Sequence, residues 1–245
     1  MVAIRQNVYD REDFFAAYQQ MRRARSGINE AVEQPAMRSL LADVSGLDVL
    51  DLGCGDGQLA RDLIGGGAAA VLAVDPSQRM LGLARSTGSD ERIEYRCCLA
   101  EDLTVDESTL DLTVSSLAFH YIADLAGLLE NVARWLRPGG RLVASMEHPL
   151  VTAAPHLGPH PCVVADYALE GRRETLWFVD GVVKYHRRVS TVINSVIAAG
   201  LVVTDVLEPT PTPQSMVERP DLERHVQRPS MLVVAAAKPL EAESR

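Results

Sequence analysis

Apolar residues recur at helical spacing over residues 10–24, where Phe14, Phe15, Tyr18 and Met21 mark the buried stripe of an amphipathic helix. A second helix is predicted near 30–42, with Pro35 tolerable in its first turns. The period then changes. Residues 48–52 form a short apolar run that ends in a glycine-rich turn, and a helix over 58–64 follows. Strand-like runs recur at 70–74, 93–97, 110–115 and 141–145, with helical stretches at 80–85 and 125–136 between them. Strands and helices alternating at this spacing predict an α/β fold with a doubly wound, mostly parallel sheet covered on both faces. From residue 149 to about 185 the periodicity fades, which predicts an insertion after the fifth strand, lying over the site like a lid. A helix at 191–199 stops at Gly200, a suitable C-cap, and two further strands follow at 201–207 and 231–237.

A chain of 245 residues is long enough for one sizeable core and does not require two. One domain over 1–245 is therefore expected, made of an N-terminal helical cap (1–45), a core (46–148), the lid insertion (149–186) and C-terminal core strands (187–238). With 47% hydrophobic and 23% charged residues the composition is that of a globular enzyme rather than a disordered chain. No window approaches the roughly 18 apolar residues of a membrane span, and the start lacks the layout of a secretion signal, so a cytoplasmic protein with no membrane partner is expected. The net charge of −9 repels phosphate backbones, and no basic stripe interleaved with aromatics offsets it, so nucleic acid is not an expected partner. Cys54, Cys97, Cys98 and Cys162 lack paired metal-site spacing and are expected to be small, buried and reduced. His156, His160 and Cys162 fall within seven residues, yet they sit among prolines without a fourth ligand, and no metal is expected.

The strongest chemical signal is VLDLGCGDG, an apolar strand that runs into Gly53, Gly55 and Gly57 before a helix opens. Glycines there let the backbone approach a ligand closely. The dinucleotide pattern would need glycine at position 58, where the chain has Gln58, so the pyrophosphate reading loses its third element. Asp51, near the strand's end, would repel a pyrophosphate and suit an ammonium group, so a zwitterionic amino-acid tail fits better than two phosphates. About 20 residues on, the next strand ends at Asp75, at the distance of a ribose-binding carboxylate. The plainer alternative makes Asp75 a turn or capping residue before Pro76 and Ser77.

The strings VLDLGCGDG, AVDPSQRM, AEDL, DLTVSSLAFHYI and LRPGGRLVASMEHP, in this order, resemble class I S-adenosylmethionine-dependent methyltransferases of the bacterial small-molecule branch. The resemblance runs from Tyr9 to Lys238 and implies a seven-stranded sheet whose last strand is antiparallel. It implies S-adenosylmethionine as cofactor and S-adenosylhomocysteine as product. It also implies that Gly53, Cys54 and Gly55 hold the methionine moiety, Asp75 with Pro76 the ribose, and Met80 the adenine. The family commonly has an aspartate where this chain has Leu99. Adenine recognition is then left to the Ala100 backbone, with Glu101 or Asp102 either substituting for that carboxylate or standing as solvated acids. Ser115, Leu117 and His120 are implied along the cofactor edge near the methyl group.

Displacement at a sulfonium can rest on alignment alone, and a base is needed only when the acceptor must lose a proton. His120 is the best base candidate, with Glu147 and His148 on the same rim and His186 reaching in from the lid; for each histidine a structural role is the plainer alternative. Tyr18, Trp177 and Phe178 are candidate walls of a substrate pocket, which would favour an apolar or aromatic acceptor of natural-product type, a small molecule of secondary metabolism. Two other functions fit the same motifs. One is a member of this fold that uses the cofactor for cyclisation or decarboxylation, and the other is a non-catalytic cofactor-binding module.

Overall fold

The computed structural model describes residues 6–24, 28–88, 90–153 and 166–240. In chain order the elements are α1 (Glu12–Arg23), α2 (Gln34–Leu41), β1 (Asp48–Leu52), α3 (Gln58–Gly65), β2 (Ala70–Asp75), α4 (Gln78–Thr87), β3 (Ile93–Cys97) and β4 (Leu110–Ser115). They continue with α5 (Leu125–Trp135), β5 (Leu136–Glu147), α6 (Pro149–Thr152), β6 (Gly171–Trp177), β7 (Val179–His186), α7 (Val189–Ala198), β8 (Val202–Leu207), α8 (Pro213–Glu218), α9 (Arg224–Gln227) and β9 (Met231–Ala237). A π-helical turn, Asn29–Glu33, leads directly into α2.

Seven strands form one sheet in the order β3-β2-β1-β4-β5-β9-β8. Five of them are mutually parallel, β9 runs antiparallel to both β5 and β8, and β8 therefore points with the other five. The central strands are nearly continuous apolar runs because both of their faces are covered. One face packs Leu128, Leu129 and Val132 of α5 with Val192 and Val196 of α7; the other packs Met37, Leu63 and Leu81 of α2, α3 and α4. Each such side chain contributes about 1.5–3 kcal/mol on burial. Asp51 is the exception, a carboxylate only 1% exposed in the middle of the sheet.

The chain winds from β1 outward to β3 and then returns to β4 on the other side of β1. The carboxyl ends of β1 and β4 therefore flank the switch point, where open α/β sheets leave a crevice.

Faded periodicity over 149–185 conceals real structure. β6 and β7 form an antiparallel hairpin in which Trp177 pairs with Val179 across Phe178, whose φ is +59°. Its inner face buries Val182, which packs with Val8 and Phe14, so the N-terminal segment and the hairpin share a small core of their own. The short helices α8 and α9 are also additions to the sequence reading. His156, His160 and Cys162 lie outside the described residues. Among the other cysteines Cys54 is buried as expected, but Cys97 is exposed because β3 is the outermost strand on its side of the sheet. Among the described residues no helix is long and apolar enough to cross a membrane.

Candidate active site

A cavity of about 1160 Å³ opens over the carboxyl ends of β1, β2, β4 and β5, larger than the roughly 300–1,000 Å³ of ordinary ligand pockets. At its base β1 turns sharply. The N–H groups of Gly53 and Cys54 both donate to the Val74 carbonyl, at 2.8 and 3.0 Å, and Gly53 has φ +77°. A Cβ on Gly53 would lie 2.4 Å from that of Ala118, and one on Gly55 would sit 3.2 Å from the Met80 methyl, so the loop is a cradle that side chains would fill.

Asp51 stands under this cradle, and neither of its carboxylate oxygens has a hydrogen-bond partner. Burial, reinforced by Asp75 and Asp56, pushes its pKa up to about 8. A buried carboxylate without a partner is costly and calls for a cationic donor. Asp75 is better satisfied: Oδ2 accepts from Gly55 N at 2.9 Å and Oδ1 from Ser77 N at 2.8 Å. Burial still raises its pKa to about 6 despite those two donors. Asp75 thus holds the turn into α4, and since each oxygen accepts only one of these bonds, a further lone pair is left on each in a residue that lines the cavity. Capping of α4 falls to Ser77, whose Oγ accepts from Met80 N at 3.1 Å.

Cys54, Pro76, Met80, Leu99, Ala100 and Glu101 all line the cavity. Glu101 is engaged, its Oε1 accepting from Ala123 N at 3.1 Å. Ser115 donates to the Leu52 carbonyl at 2.8 Å, and Leu117, with φ +52°, donates its N–H to Ser145 Oγ at 2.9 Å. A leucine in the left-handed region is a strained position held by its surroundings.

His120 lines the cavity with its ring buried. Nδ1 accepts from Glu147 N at 3.3 Å, which puts the ring proton on Nε2, and burial pushes its pKa down to about 4. With its lone pair occupied and its basicity low, this ring is poorly suited to the expected base role. Beside it, Glu147 Oε1 accepts from Lys184 Nζ at 2.6 Å, while Oε2 is buried without a partner. Burial alone would raise the Glu147 pKa; His120 and the Lys184 ammonium outweigh it and hold the group below its ordinary value. Lys184 also lies 5.0 Å from the centre of the Trp177 ring.

The low basicity of His120 has a measurable consequence for folding. The unfolded ring titrates near 6.5 and the folded one near 4, so the unfolded chain binds the extra proton between these values. Stability should fall by about 3 kcal/mol as pH drops through that window. Denaturant melts at pH 7 and pH 4.5 should show a shallower loss for His120→Gln than for the wild type; parallel slopes would mean that the ring titrates normally.

Of the other candidates, Tyr18 and Trp177 line the cavity, where they join Tyr9 and Tyr121 in edge-to-face contacts with ring centres 5.2–6.4 Å apart. Phe178 stacks on the outer side of Trp177 and is 39% exposed. His148 and His186 do not reach the site. His148 bonds Glu208 at 2.7 Å and caps α6 through Leu150 N at 3.0 Å. His186 is held between Thr152 Oγ1 at 2.8 Å and the Tyr167 carbonyl at 2.9 Å. Both rings are locked by packing that the strand ends alone did not reveal.

Sequence reasoning passed over Glu33, Tyr9, Tyr121 and Lys184. Glu33 sits on the π-helical turn, almost fully buried, and its Oε1 accepts from Ser116 and Ser145 hydroxyls at 2.8 and 2.7 Å. Nothing in NEAVEQ distinguishes it from a surface acid. Lys184 had one available signal, its place inside the strand-like run VVKYH.

This crevice, with a carboxylate at each of two adjacent strand ends and a glycine cradle between them, is the cofactor site architecture of class I methyltransferases. The Methyltransferase domain family matches residues 50–144. An S-adenosylmethionine-dependent methyltransferase from Mesorhizobium loti is 39% identical and superposes with a TM-score of 0.81, covering 86% of this chain and 100% of that one. An uncharacterised protein of Haemophilus influenzae is 33% identical over 251 residues, 95% of this chain and 97% of its own length. A ubiquinone biosynthesis O-methyltransferase of Sinorhizobium medicae is 30% identical over 66% of this chain and 62% of its own length. The chain belongs to the class I S-adenosylmethionine-dependent methyltransferases. It is an enzyme of that class, and S-adenosylmethionine is its cofactor.

Proposed function

We propose that the cavity holds S-adenosylmethionine with its amino-acid end on Asp51 and the 53–57 loop, its ribose on Asp75 and its adenine between Met80, Leu99 and Ala100. The acceptor is a small molecule lying between Glu147, His120 and the aromatic wall of Tyr9, Tyr18, Tyr121 and Trp177. The cofactor supplies a methyl group on a sulfonium, with a neutral thioether as leaving group. The chain's own contribution is alignment of the acceptor with the methyl group. Glu147 Oε2 is the group able to accept a hydrogen bond from an acceptor hydroxyl or amine, while His120 keeps its ring proton on Nε2 and shapes the pocket. Burial raises Tyr18 to about 12 and Tyr9 and Tyr121 well above their ordinary value, so these three are hydrogen-bond donors and apolar surface, not bases. The O-methyltransferase relative and the ring-lined wall both favour an aromatic or apolar acceptor.

The observation that carries this reading is the partnerless Asp51 beneath the cradle. Calorimetry with S-adenosylhomocysteine and with NAD tests it: the first should bind and the second should not, and the reverse result would overturn it. Asp75→Ala should weaken S-adenosylhomocysteine by about 10–100-fold, the worth of one or two charge-assisted hydrogen bonds at roughly 1.5–3 kcal/mol each, less what the freed loop N–H groups recover from water. Unchanged affinity would leave Asp75 with the turn alone.

A further inference from the structure

The connection between β8 and β9 brings a cationic wall to the same cavity. Arg224, His225, Arg228 and Ser230 all line it, close to Glu147 and Val151. Their place is fixed by the sheet: Met231 pairs with Glu147 across β9 and β5, and His148 N donates to the Ser230 carbonyl at 2.9 Å. Arg228 spends Nη2 on the Leu150 carbonyl at 2.8 Å, but its Nε is buried without a partner. Arg224 Nε donates to His225 Nε2 at 3.1 Å, so the ring proton sits on Nδ1 and goes to Ser230 Oγ. The serine's own hydrogen is then directed elsewhere. The wall is thus a set of donors: two guanidinium groups and a hydroxyl. Of the carboxylates nearby, Glu208 is engaged with His148 and Asp221 with Arg219, while Glu147 gives Oε1 to Lys184 and leaves Oε2 without a partner.

We propose that this wall is an anion subsite, and that the acceptor carries a carboxylate or phosphate held by Arg224, Arg228 Nε and Ser230 while its body lies along the aromatic wall. A buried guanidinium nitrogen with no acceptor is uncommon, and an anionic oxygen is its strongest partner. In a chain of net charge −9, two arginines and a histidine within five residues at the rim concentrate the opposite field where a small acid must enter. The identity of the ligand as acceptor rests on the methyl-transfer reading; the subsite itself does not.

His225 reports on occupancy. Burial first, then the Arg224, Arg219 and Arg228 cations against Asp221, hold its pKa below the ordinary value. An anion seated among those arginines raises it. The test is NMR titration of the His225 ring in the full-length protein, assigned with His225→Gln, with and without S-adenosylhomocysteine. Inorganic phosphate and benzoate are the probes, and benzyl alcohol is the neutral control. A saturable upward shift is expected with an anion and none with the alcohol, and the probe that saturates at lower concentration tells a phosphoryl group from a carboxylate. Arg228→Gln and the solvent-facing Arg224→Gln should each weaken that anion about tenfold, roughly one charge-assisted hydrogen bond, with S-adenosylhomocysteine affinity unchanged. No saturable shift with either anion, or a shift indifferent to both variants, would overturn the subsite. Loss of S-adenosylhomocysteine binding in the wild type would instead overturn the cofactor placement, and the anion result would stand by itself.

Discussion

Asp51→Asn should weaken S-adenosylhomocysteine binding by about 10²–10⁴-fold, the loss of two hydrogen bonds to a charged group at roughly 1.5–3 kcal/mol each. The same change should make the ligand-free protein more stable. These opposite signs follow from one fact, that both Asp51 oxygens are buried with no partner. An unfolded aspartate titrates near 3.9 and this one near 8, so the unfolded chain sheds a proton that the folded chain keeps. Stability should therefore fall as pH rises from about 4 to about 8, by an amount on the order of 4–5 kcal/mol. Asparagine has no proton to lose, so the melting curve of the variant should be flatter over this window and should lie higher at pH 8. Binding of an ammonium must drive the carboxyl to ionise, so close to one proton should be released per ligand at pH 7, measurable by calorimetry in buffers of different ionisation enthalpy. Wild-type binding without proton release, together with unchanged affinity in Asp51→Asn, would remove the amino-acid end of the cofactor from this position.

Lys184→Met should destabilise the fold by about 3–5 kcal/mol, because it leaves Glu147 as a buried charge without its counter-ion. The ammonium is 4% exposed and the carboxylate 21%, so water can do little to replace the lost partner. Glu147→Gln combined with Lys184→Met should recover most of that loss, since a neutral amide beside a thioether carries no unpaired charge. A double-mutant cycle by denaturant melts measures the coupling. A single-variant cost under 1 kcal/mol with additive effects would place the pair in effectively solvated surroundings, and Glu147 would lose its claim to be held ionised.

The alternating strand and helix runs made the sheet legible in the sequence, and β3, β4 and β9 have the expected limits because buried strands leave dense apolar marks. The glycine loop and its flanking acids were legible for the opposite reason, being polar and glycine-rich where a core strand should continue. The hairpin was not. Its strand GRRETLW alternates half-buried and exposed positions, so no apolar run announces it. The acceptor side of the cavity was hardest to read. Glu147 and Lys184 are distant in sequence and meet only because the hairpin folds back over β5, and His148, one residue past the end of β5, is turned away as the cap of α6. Arg224 and Arg228 sit in a polar stretch that reads as ordinary surface until β9 draws it against the rim.

Polar contacts tie the N-terminal segment to the turn before α4 that it covers. Asp10 Oδ1 accepts from Ser77 Oγ at 2.6 Å and from Arg79 N at 3.1 Å, and Asn7 donates to the Pro76 carbonyl at 3.0 Å. Ser77 is also the cap of α4, so roof and floor of the cavity share one hydroxyl. Swinging the roof aside strips that hydroxyl of its acceptor and loosens the helix start that carries Met80. Cover and cavity floor are thus mechanically coupled through a single serine, so a change at Ser77 is felt at both.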